Sequence, residues 1–345
     1  MQQGELIGLQ EVARMAGVGP SAVANWRKRY ADFPVPLAEL SSGPVFDREQ
    51  IQRWLRRRRT KVGRTIAMIN LKGGVAKTTT TFAVALNMSR KGKRVLVIDL
   101  DPQTNVTVMF IGEDRWGELN RQHRTLAQLF QDALSQDGEE KLFNLDATLQ
   151  RGVGNVTDAA TVDLLPSSLD LITVQDRLAL MPSGRFFANV PTDILMRATR
   201  EIIDGYDYVL IDCPPNLGLI TLNGLRIADG YVIPTIPDVL STYGIPQIES
   251  RVREFADNIA TQIRPFGIAL TKYRVQSAIH NNTANLLRNG NGGIHVFNTD
   301  IPETTGLAAT AEYRDEPATL RQKLGYGVPF DNYRKLTVEI MEAAE

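Results

Sequence analysis

Sulfur and imidazole ligands are scarce in this sequence. Among 345 residues there is one cysteine, Cys213, and there are three histidines, His123, His280 and His295, far apart along the chain. A single cysteine excludes a disulfide within the chain. So few soft ligands also argue against a structural zinc site or a cysteine-held iron–sulfur cluster. Any cofactor chemistry is therefore expected to depend on oxygen ligands.

Long apolar runs are also missing. No stretch approaches the roughly 20 apolar residues that a membrane-spanning helix needs, although 43% of the residues are hydrophobic. The first residues include polar Gln2, Gln3 and Glu5 in place of a basic and apolar signal segment. We therefore expect a cytoplasmic protein, long enough for one large domain and one small domain.

The net charge is zero, but the charges are unevenly distributed. Residues 1–64 contain 12 Lys+Arg and 6 Asp+Glu, a net charge of +6, which leaves −6 on the remainder. This asymmetry predicts an N-terminal module that meets a polyanion. A solvated basic helix end at residues 56–59 explains the charge equally well.

Residues 9–29 have the pattern of a helix-turn-helix. Two short runs of helical apolar spacing are separated by a glycine turn at residues 17–19, and Pro20 suits the first turn of the second helix. That helix presents polar side chains that can reach base edges or phosphates. The candidate DNA contacts are Ser21, Asn25, Arg27 and Lys28.

A turn and a third helix follow. Residues 41–46 (SSGPVF) form a turn and an apolar pair, and Asp47 is placed to cap a helix that carries Ile51, Trp54 and Leu55 on one face. Together with the helix-turn-helix, this segment resembles the winged helix-turn-helix of MerR-like and excisionase-like DNA-binding domains over about 55 residues. A protein-docking module and a purely structural three-helix module are the alternatives.

From residue 65 onward, short apolar strands alternate with helices. The predicted strands are residues 65–70, 94–99, 162–165, 208–211, 231–233 and 268–270. Near-continuous apolar strands separated by helices indicate an α/β fold with a parallel sheet covered on both faces. The predicted organisation is a small α-helical winged helix-turn-helix domain at residues 1–59, a basic linker at 60–64 and an α/β domain at 65–345.

The loop after the first of these strands reads NLKGGVAKTTTT from Asn70 to Thr81. It departs from the strict phosphate-binding pattern G-x-x-x-x-G-K-[ST], because Leu71 and Ala76 stand where the glycines belong. Ala76 is the smallest step from glycine, and it can replace glycine without strain if it keeps a negative φ.

The chemistry of phosphate binding survives this departure. Gly73 and Gly74 let the backbone wrap closely around phosphate oxygens, and a helix that begins near Lys77 points its unpaired amides at the same place. Lys77 supplies a charge to the β- and γ-phosphates, and the Thr78 hydroxyl is placed to ligate Mg²⁺. Asp212 ends a predicted strand at its carboxyl edge, where it can hold a Mg²⁺-bound water.

Three segments in order resemble the ParA/MinD-type ATPases. They are the deviant Walker A motif KGGVAKTT at residues 72–79, the A′ segment VLVIDLDPQ at 95–103 and the Walker B motif YVLIDCPP at 208–215. The resemblance spans roughly residues 64–340. It implies a doubly wound, mostly parallel sheet of a P-loop ATPase that binds ATP or ADP with Mg²⁺. The implied nucleotide-binding residues are Lys72, Gly73, Gly74, Val75, Ala76, Lys77, Thr78, Thr79 and Asp212.

The resemblance also implies roles for single residues. Lys72 reaches across a nucleotide-sandwich dimer to the phosphates of the other subunit, and Asp101 orients the attacking water. Pro234 and Pro237 belong to the segment that approaches the adenine base. The implied catalytic set is Lys72, Lys77 and Asp101, and the implied metal set is Thr78 and Asp212.

Basic residues after the last predicted strand correspond to a DNA-contacting region of partition ATPases. Lys272 and Arg274 are therefore candidate DNA contacts of the ATPase domain. At residue 303 the partition family commonly has arginine, whereas this sequence has Glu303. A negative charge there weakens the expected non-specific DNA surface.

Other relatives in this superfamily are disfavoured. Iron–sulfur carriers need a pair of cysteine ligands, and membrane-targeted members need a basic tail, whereas residues 336–345 contain three glutamates and no lysine or arginine. The resemblance therefore implies a nucleoid-associated partition ATPase, a DNA-binding homodimer stimulated by a ParB-like protein and repressing its own operon. The alternative is an ATP-switched transcription regulator or cargo-positioning factor.

Overall fold

The computed structural model describes residues 6–16, 20–30, 33–40, 43–59, 63–135, 140–159, 162–179, 191–290, 293–304, 313 and 316–345. The chain divides into two compact units, residues 1–62 and residues 63–345. Within the described ranges, no helix is both long and apolar enough to cross a bilayer.

The first unit combines three helices with a small sheet. Its elements are β1 (Leu6–Gly8), α1 (Leu9–Ala16), α2 (Pro20–Arg29), β2 (Ala38–Leu40), β3 (Gly43–Asp47) and α3 (Arg48–Arg59). The strands pair antiparallel in the order β1-β3-β2. Both helices predicted within residues 9–29 are present. The expectation of an α-helical domain was incomplete, because three short strands also pair into a sheet.

An aromatic core holds the first unit together. Asp47 caps α3 as predicted, since its Oδ1 accepts a hydrogen bond from the Gln50 amide at 2.8 Å. Phe33, Phe46 and Trp54 are buried. The ring of Phe33 lies edge-on to the other two, with centroids 5.6 Å from Phe46 and 4.7 Å from Trp54. Contact between a loop, a strand and a helix therefore defines this core.

The second unit is built on a six-stranded parallel sheet. Its strands are β4 (Arg64–Met68), β5 (Val95–Asp99), β6 (Val162–Leu165), β7 (Tyr208–Asp212), β8 (Gly230–Thr235) and β9 (Arg264–Leu270). Their order across the sheet is β6-β5-β7-β4-β8-β9, and every neighbouring pair is parallel. All six predicted strands are present. The first begins at Arg64, inside the range predicted as a linker.

Helices connect these strands and follow the last of them. They are α4 (Lys77–Arg90), α5 (Asn105–Arg121), α6 (Leu126–Leu134), α7 (Leu145–Thr148), α8 (Leu171–Ala179), α9 (Ile194–Ile203), α10 (Leu219–Ile227), α11 (Val239–Thr242), α12 (Ile245–Asn258), α13 (Ala278–Asn289), α14 (Leu320–Lys323) and α15 (Val328–Ala344). A short 3-10 turn at Pro191–Asp193 precedes α9.

Side chains alternate between the two faces of the sheet. In β4, Ile66 and Met68 enter a core shared with α4, α5 and α15. Ala67 enters a separate core shared with α6, α10 and α12. The sheet is therefore covered by helices on both faces, and the predicted doubly wound α/β fold is confirmed.

The strand order brings three loops together at one edge. Strand β7 lies between β5 and β4, so that Asp212 is in register with Asp99 on one side and with Met68 on the other. Because parallel strands end at the same edge, the segments after β4, β5 and β7 all begin there. Ligands of open α/β sheets bind at this carboxyl edge.

Phe46→Ala should selectively destabilise the first unit. Removing a buried phenylalanine costs about 3–5 kcal/mol, a large part of the stability of so small a unit. Two of the three tryptophans, Trp26 and Trp54, lie in this unit, so tryptophan fluorescence monitors its unfolding when the full chain is titrated with urea. The transition of the first unit should move to a lower urea concentration.

Arg53→Ala serves as the control for this prediction. Arg53 lies on α3 with its side chain 61% exposed, and exposed substitutions usually change stability by no more than about 0.5 kcal/mol. Equal urea midpoints for the two variants would show that Phe46 does not anchor the core.

Candidate functional site

The loop between β4 and α4 is tied to the rest of the sheet edge. The Asn70 side-chain amide donates to the Pro234 carbonyl at 2.8 Å, and the Thr271 hydroxyl donates to the Val75 carbonyl at 2.9 Å. Gly74 has φ 74°, a conformation that glycine adopts without steric cost. The loop therefore has a fixed backbone path with its glycines exposed.

Ala76 does not meet the condition for a replacement without strain. Its φ is 60° and its ψ is 31°, in the left-handed region, and not the negative φ that alanine prefers. The Ala76 carbonyl accepts the Thr80 amide at 2.9 Å, and a residue in this capping position usually has an extended backbone with a negative φ. The left-handed conformation therefore belongs to the path of the loop and not to the cap. A left-handed alanine costs about 1–2 kcal/mol, which explains why the strict pattern has glycine there.

Lys77 lies at the centre of the loop. Its side chain is buried, and its Nζ donates to the carbonyls of Asn70 and Lys72, each at 3.2 Å. Burial lowers the pKa of Lys77, while the nearby Asp212 and Asp101 carboxylates act in the opposite direction. The loop is thus wrapped around a cation that two carboxylates compensate.

Lys72 is held within its own chain. Its Nζ donates to the Ser241 hydroxyl at 2.8 Å and lies 3.2 Å from Asp238 Oδ2. Asp238 also caps α11, where its Oδ1 accepts the Ser241 amide at 2.6 Å. Neither Asp238 nor Ser241 was predicted as a site residue, although an aspartate directly after Pro237 is a recognisable helix-cap signal.

Asp212 presents an unsatisfied oxygen at the end of β7. Its Oδ1 accepts the Thr81 hydroxyl at 3.0 Å, whereas its buried Oδ2 has no hydrogen-bond partner among the described residues. Burial raises the pKa of Asp212 to about 7, and Thr78 acts to lower it. A hard cation with its water shell satisfies such an oxygen. Thr78 and Asp212 therefore fit the predicted Mg²⁺ site.

Asp101 is buried in the loop after β5. Its Oδ1 accepts the Gln103 amide at 3.0 Å, and its charge influences the pKa values of both Lys77 and Asp212. The structure thus brings Lys77, Thr78, Asp101 and Asp212 together at one sheet edge. Thr79 follows Thr78 in α4, and the buried Pro234 and Pro237 lie at and after the end of β8. An adenine-binding role for these two prolines stays a prediction.

The candidate DNA contacts of the first unit are only partly described. Asn25 is exposed on α2, while the side chains of Ser21 and Lys28 lie outside the described residues. Arg27 is turned onto the sheet, with its Nη2 2.5 Å from a Glu39 carboxylate oxygen. In this conformation Arg27 links α2 to β2.

The candidate DNA contacts of the second unit lie in the loop between β9 and α13. Arg274 forms an ion pair with Glu303, and its backbone amide donates to His280 Nδ1 at 3.1 Å. The pair lowers the pKa of Glu303 through the hydrogen bond from Arg274, so both side chains stay charged and offset each other. Lys272 is partly exposed in the same loop.

The chain is similar to known proteins. A family model described as "AAA domain" matches residues 63–264. An uncharacterized protein of Mycobacterium tuberculosis is 33% identical over 210 residues, which are 61% of this chain and 58% of the length of that protein. The chromosome-partitioning ATPase Soj of Thermus thermophilus is 32% identical over 283 residues, which are 82% of this chain and 97% of that protein.

A solved structure supports the same fold. Cobyrinic acid a,c-diamide synthase from Mycobacterium smegmatis, with bound ATP analogue and magnesium, is 25% identical and has a TM-score of 0.59, covering 80% of this chain and 93% of that chain. The sheet and its loop define a P-loop protein of the α/β class. The chain belongs to the AAA-domain family, among ParA/Soj-type P-loop ATPases.

Asp212→Asn should change the pH dependence of stability of the nucleotide-free protein. Burial raises the pKa of Asp212 to about 7, against about 3.9 for an aspartate in an unfolded chain. Because the folded state binds more protons between these values, its free energy of unfolding falls as the pH rises, by at most about 1.4 kcal/mol per pH unit. Melting in EDTA from pH 5 to 8 should show wild type losing stability relative to the variant.

Asp207→Asn is the matched control. Burial raises the pKa of Asp207, but hydrogen bonds from Arg94 lower it by more, so the net shift is downward. Its contribution is therefore constant from pH 5 to 8 and is lost only as the pH falls below about 3.9, so this variant should run parallel to wild type. Parallel melting profiles for wild type and Asp212→Asn would contradict the assignment of a proton to Asp212.

Proposed function

We propose that this protein is an ATP-dependent DNA partition protein of the cytoplasm, associated with the nucleoid. It forms a nucleotide-sandwich homodimer, binds DNA, and hydrolyses ATP slowly until a ParB-like protein stimulates it. The observation that carries the enzymatic part is the buried Asp212 Oδ2, which has no hydrogen-bond partner among the described residues and belongs to the same edge as Lys77 and Thr78. Similarity to Soj, a chromosome-partitioning ATPase, supports the partition part.

The residues divide the work of phosphoryl transfer. The first amides of α4 and the Lys77 ammonium bind the phosphates, and Asp101 orients the attacking water. Thr78 and Asp212 would hold Mg²⁺, which would supply positive charge beside the phosphates. Phosphoryl transfer asks mainly for positioning and charge neutralisation, so this set suffices for a slow hydrolase.

Lys72 completes the site only in a dimer. In the isolated chain its ammonium lies on Asp238 and Ser241, beside the loop and not within it. Exchange of these acceptors for the phosphates of a second subunit would couple ATP binding to dimerisation. The protein would then act as a switch with ATP as its input.

DNA binding is proposed for both units. The exposed Asn25 on α2 is the leading candidate for base contacts in an operator, through which the protein would repress its own operon. Arg27 would have to leave Glu39 to reach a phosphate. Lys272 and Arg274 would contribute non-specific backbone contacts, which position DNA without reading its sequence.

One observation favours a second function. Arg274 is ion-paired with Glu303, which reduces the cationic surface that the second unit offers to non-specific DNA. An ATP-switched transcription regulator or cargo-positioning factor needs no such surface, because the first unit alone would bind DNA. In that case hydrolysis would be dispensable.

Lys77→Ala should abolish ATP-dependent dimerisation, because it removes the cation at the centre of the phosphate loop. Sedimentation or light scattering with and without ATP and Mg²⁺ measures the effect. The control is Lys91→Ala, an exposed lysine just after the other end of α4, which should dimerise like wild type. Equal dimerisation of wild type with and without nucleotide would refute the switch.

Asp101→Ala separates the two functions. This variant should still dimerise with ATP but lose hydrolysis, since Asp101 acts on the attacking water. Loss of plasmid or chromosome segregation in that variant favours partition. Retained biological function with hydrolysis abolished favours the regulator.

Glu303→Gln should strengthen binding to non-specific duplex DNA. Neutralising the carboxylate frees the Arg274 guanidinium for a phosphate, so affinity should rise several-fold with ATP present. One added phosphate contact steepens the dependence of log K on log salt by about 0.9. Fluorescence anisotropy over a salt series measures both quantities.

Glu254→Gln is the matched control, because Glu254 also pairs with an exposed arginine, Arg251, at 3.4 Å. It changes the net charge equally but lies on α12, away from Lys272 and Arg274. Equal strengthening by both variants would indicate a net-charge effect and remove Arg274 from the DNA surface.

A further inference from the structure

A closed ring of hydrogen bonds surrounds the backbone of Asp101. The Asp101 amide donates to Asp99 Oδ1 at 3.0 Å, and the Asp101 carbonyl accepts the Ser167 hydroxyl at 2.7 Å. The Ser167 amide donates to the Thr107 hydroxyl at 3.0 Å, and that hydroxyl donates to Asp99 Oδ2 at 2.6 Å. We call Asp99, Asp101, Thr107 and Ser167 the Asp101 ring.

The Asp101 ring joins three separate segments of the chain. Asp99 ends β5, Thr107 lies in the first turn of α5, and Ser167 follows β6. All four members are buried, where hydrogen bonds are stronger and unmet polar groups are costly. The ring therefore fixes both the amide and the carbonyl of Asp101, which leaves its backbone little freedom to rotate.

Thr107 and Ser167 make further hydrogen bonds that hold them in place. The Thr107 hydroxyl both donates and accepts, and the Thr107 amide also donates to Asp99 Oδ2 at 3.1 Å. Trp116 on α5 anchors the Ser167 carbonyl at 3.2 Å. Ser168, the next residue, is equally buried, but among the described residues its hydroxyl accepts the Asp170 amide at 3.1 Å and makes no bond to Asp101. Burial of a serine at this edge therefore does not require a contact with Asp101.

The ring also ties the Asp101 backbone to the strand that lies beside Asp212. Asp99 is in register with Asp212 on the adjacent strand, so the residue that holds the Asp101 amide is fixed relative to the proposed metal residue. A misplacement of about 1 Å in a reacting group can cost a factor of about 100 in rate. By holding the Asp101 backbone in place, the Asp101 ring should therefore affect the rate of hydrolysis.

We infer that Asp99, Thr107 and Ser167 are positioning residues for Asp101 in ATP hydrolysis. This inference rests on the proposed function, because it assumes that Asp101 orients the attacking water. The three residues touch neither nucleotide nor water in this role. They act by holding the Asp101 backbone, so their loss should lower kcat while the affinity for ATP is retained.

Thr107→Val tests the inference in the full-length protein. Valine keeps the shape of threonine but removes the hydroxyl that joins Asp99 to Ser167. We expect kcat to fall about 10- to 100-fold, with KM for ATP and the affinity for Mg²⁺-ATP changed less than 3-fold. Thr107→Ser restores the hydroxyl and should recover kcat to within about 3-fold of wild type.

Ser167→Ala tests a second link of the ring with little change in volume. It should lower kcat about 5- to 30-fold, whereas Ser168→Ala should leave kcat within 2-fold of wild type. Circular dichroism and nucleotide titration give the folded, binding-competent fraction, to which every rate is normalised. Loss of folding in Thr107→Val therefore leaves Ser167→Ala as a complete test.

A double-mutant cycle distinguishes positioning from general weakening. If Thr107 acts through Asp101, adding Thr107→Val to Asp101→Ala should lower the residual rate no further. An equal fold-loss in both backgrounds, or an equal loss in Ser168→Ala, would overturn the inference and make the ring purely structural. An inactive wild type, with and without DNA or a ParB-like protein, would overturn the proposed function instead. Active wild type with unaffected ring variants would overturn only the inference.

Discussion

Two buried carboxyl groups, Asp99 and Asp212, lie side by side on adjacent parallel strands, and the rest of the edge is arranged around the cost of burying them. Burying a carboxylate without compensation costs several kcal/mol. Thr107 and the Asp101 amide satisfy Asp99, while Thr81 and Lys77 compensate Asp212 only in part. The remaining deficit is located where a metal ion and nucleotide would enter. The rigid sheet edge thus keeps Asp212 Oδ2 without a hydrogen-bond partner among the described residues.

Much of the second unit could be predicted from local patterns. Its strands are short and apolar on both faces, so all six could be predicted from short apolar runs in the sequence. The motifs placed Lys77, Thr78, Asp101 and Asp212 near strand ends, and parallel topology requires those ends to converge. Ala76 shows the limit of this reasoning. Side-chain identity argued for a negative φ, but the geometry of a loop entering a helix overrode the preference of one residue.

Contacts between distant segments could not be predicted in the same way. Ser167 lies more than 60 residues beyond Asp101, and Asp238 lies more than 160 residues beyond Lys72. Neither contact can be inferred from the number of residues between its partners, because the helices and strands in between determine how close the partners come in the fold. Glu303 was recognised as an unusual charge, yet only the structure shows that it faces Arg274. In the first unit, the helical pattern was readable, whereas strands of three to five residues were too short to leave a period.

The strength of the pairing between Lys72 and Asp238 determines how easily Lys72 can exchange this partner for another anion. Its side chain is 38% exposed and that of Asp238 is 30% exposed, and ion pairs near water are worth only about 0.2–1 kcal/mol. The pair with Asp238 therefore weakens the binding of a competing anion to Lys72 by less than about fivefold. Lys72 is therefore held only weakly within its own chain. In the proposed dimer, nucleotide and subunit concentrations would set the threshold for assembly more than the breaking of this contact would.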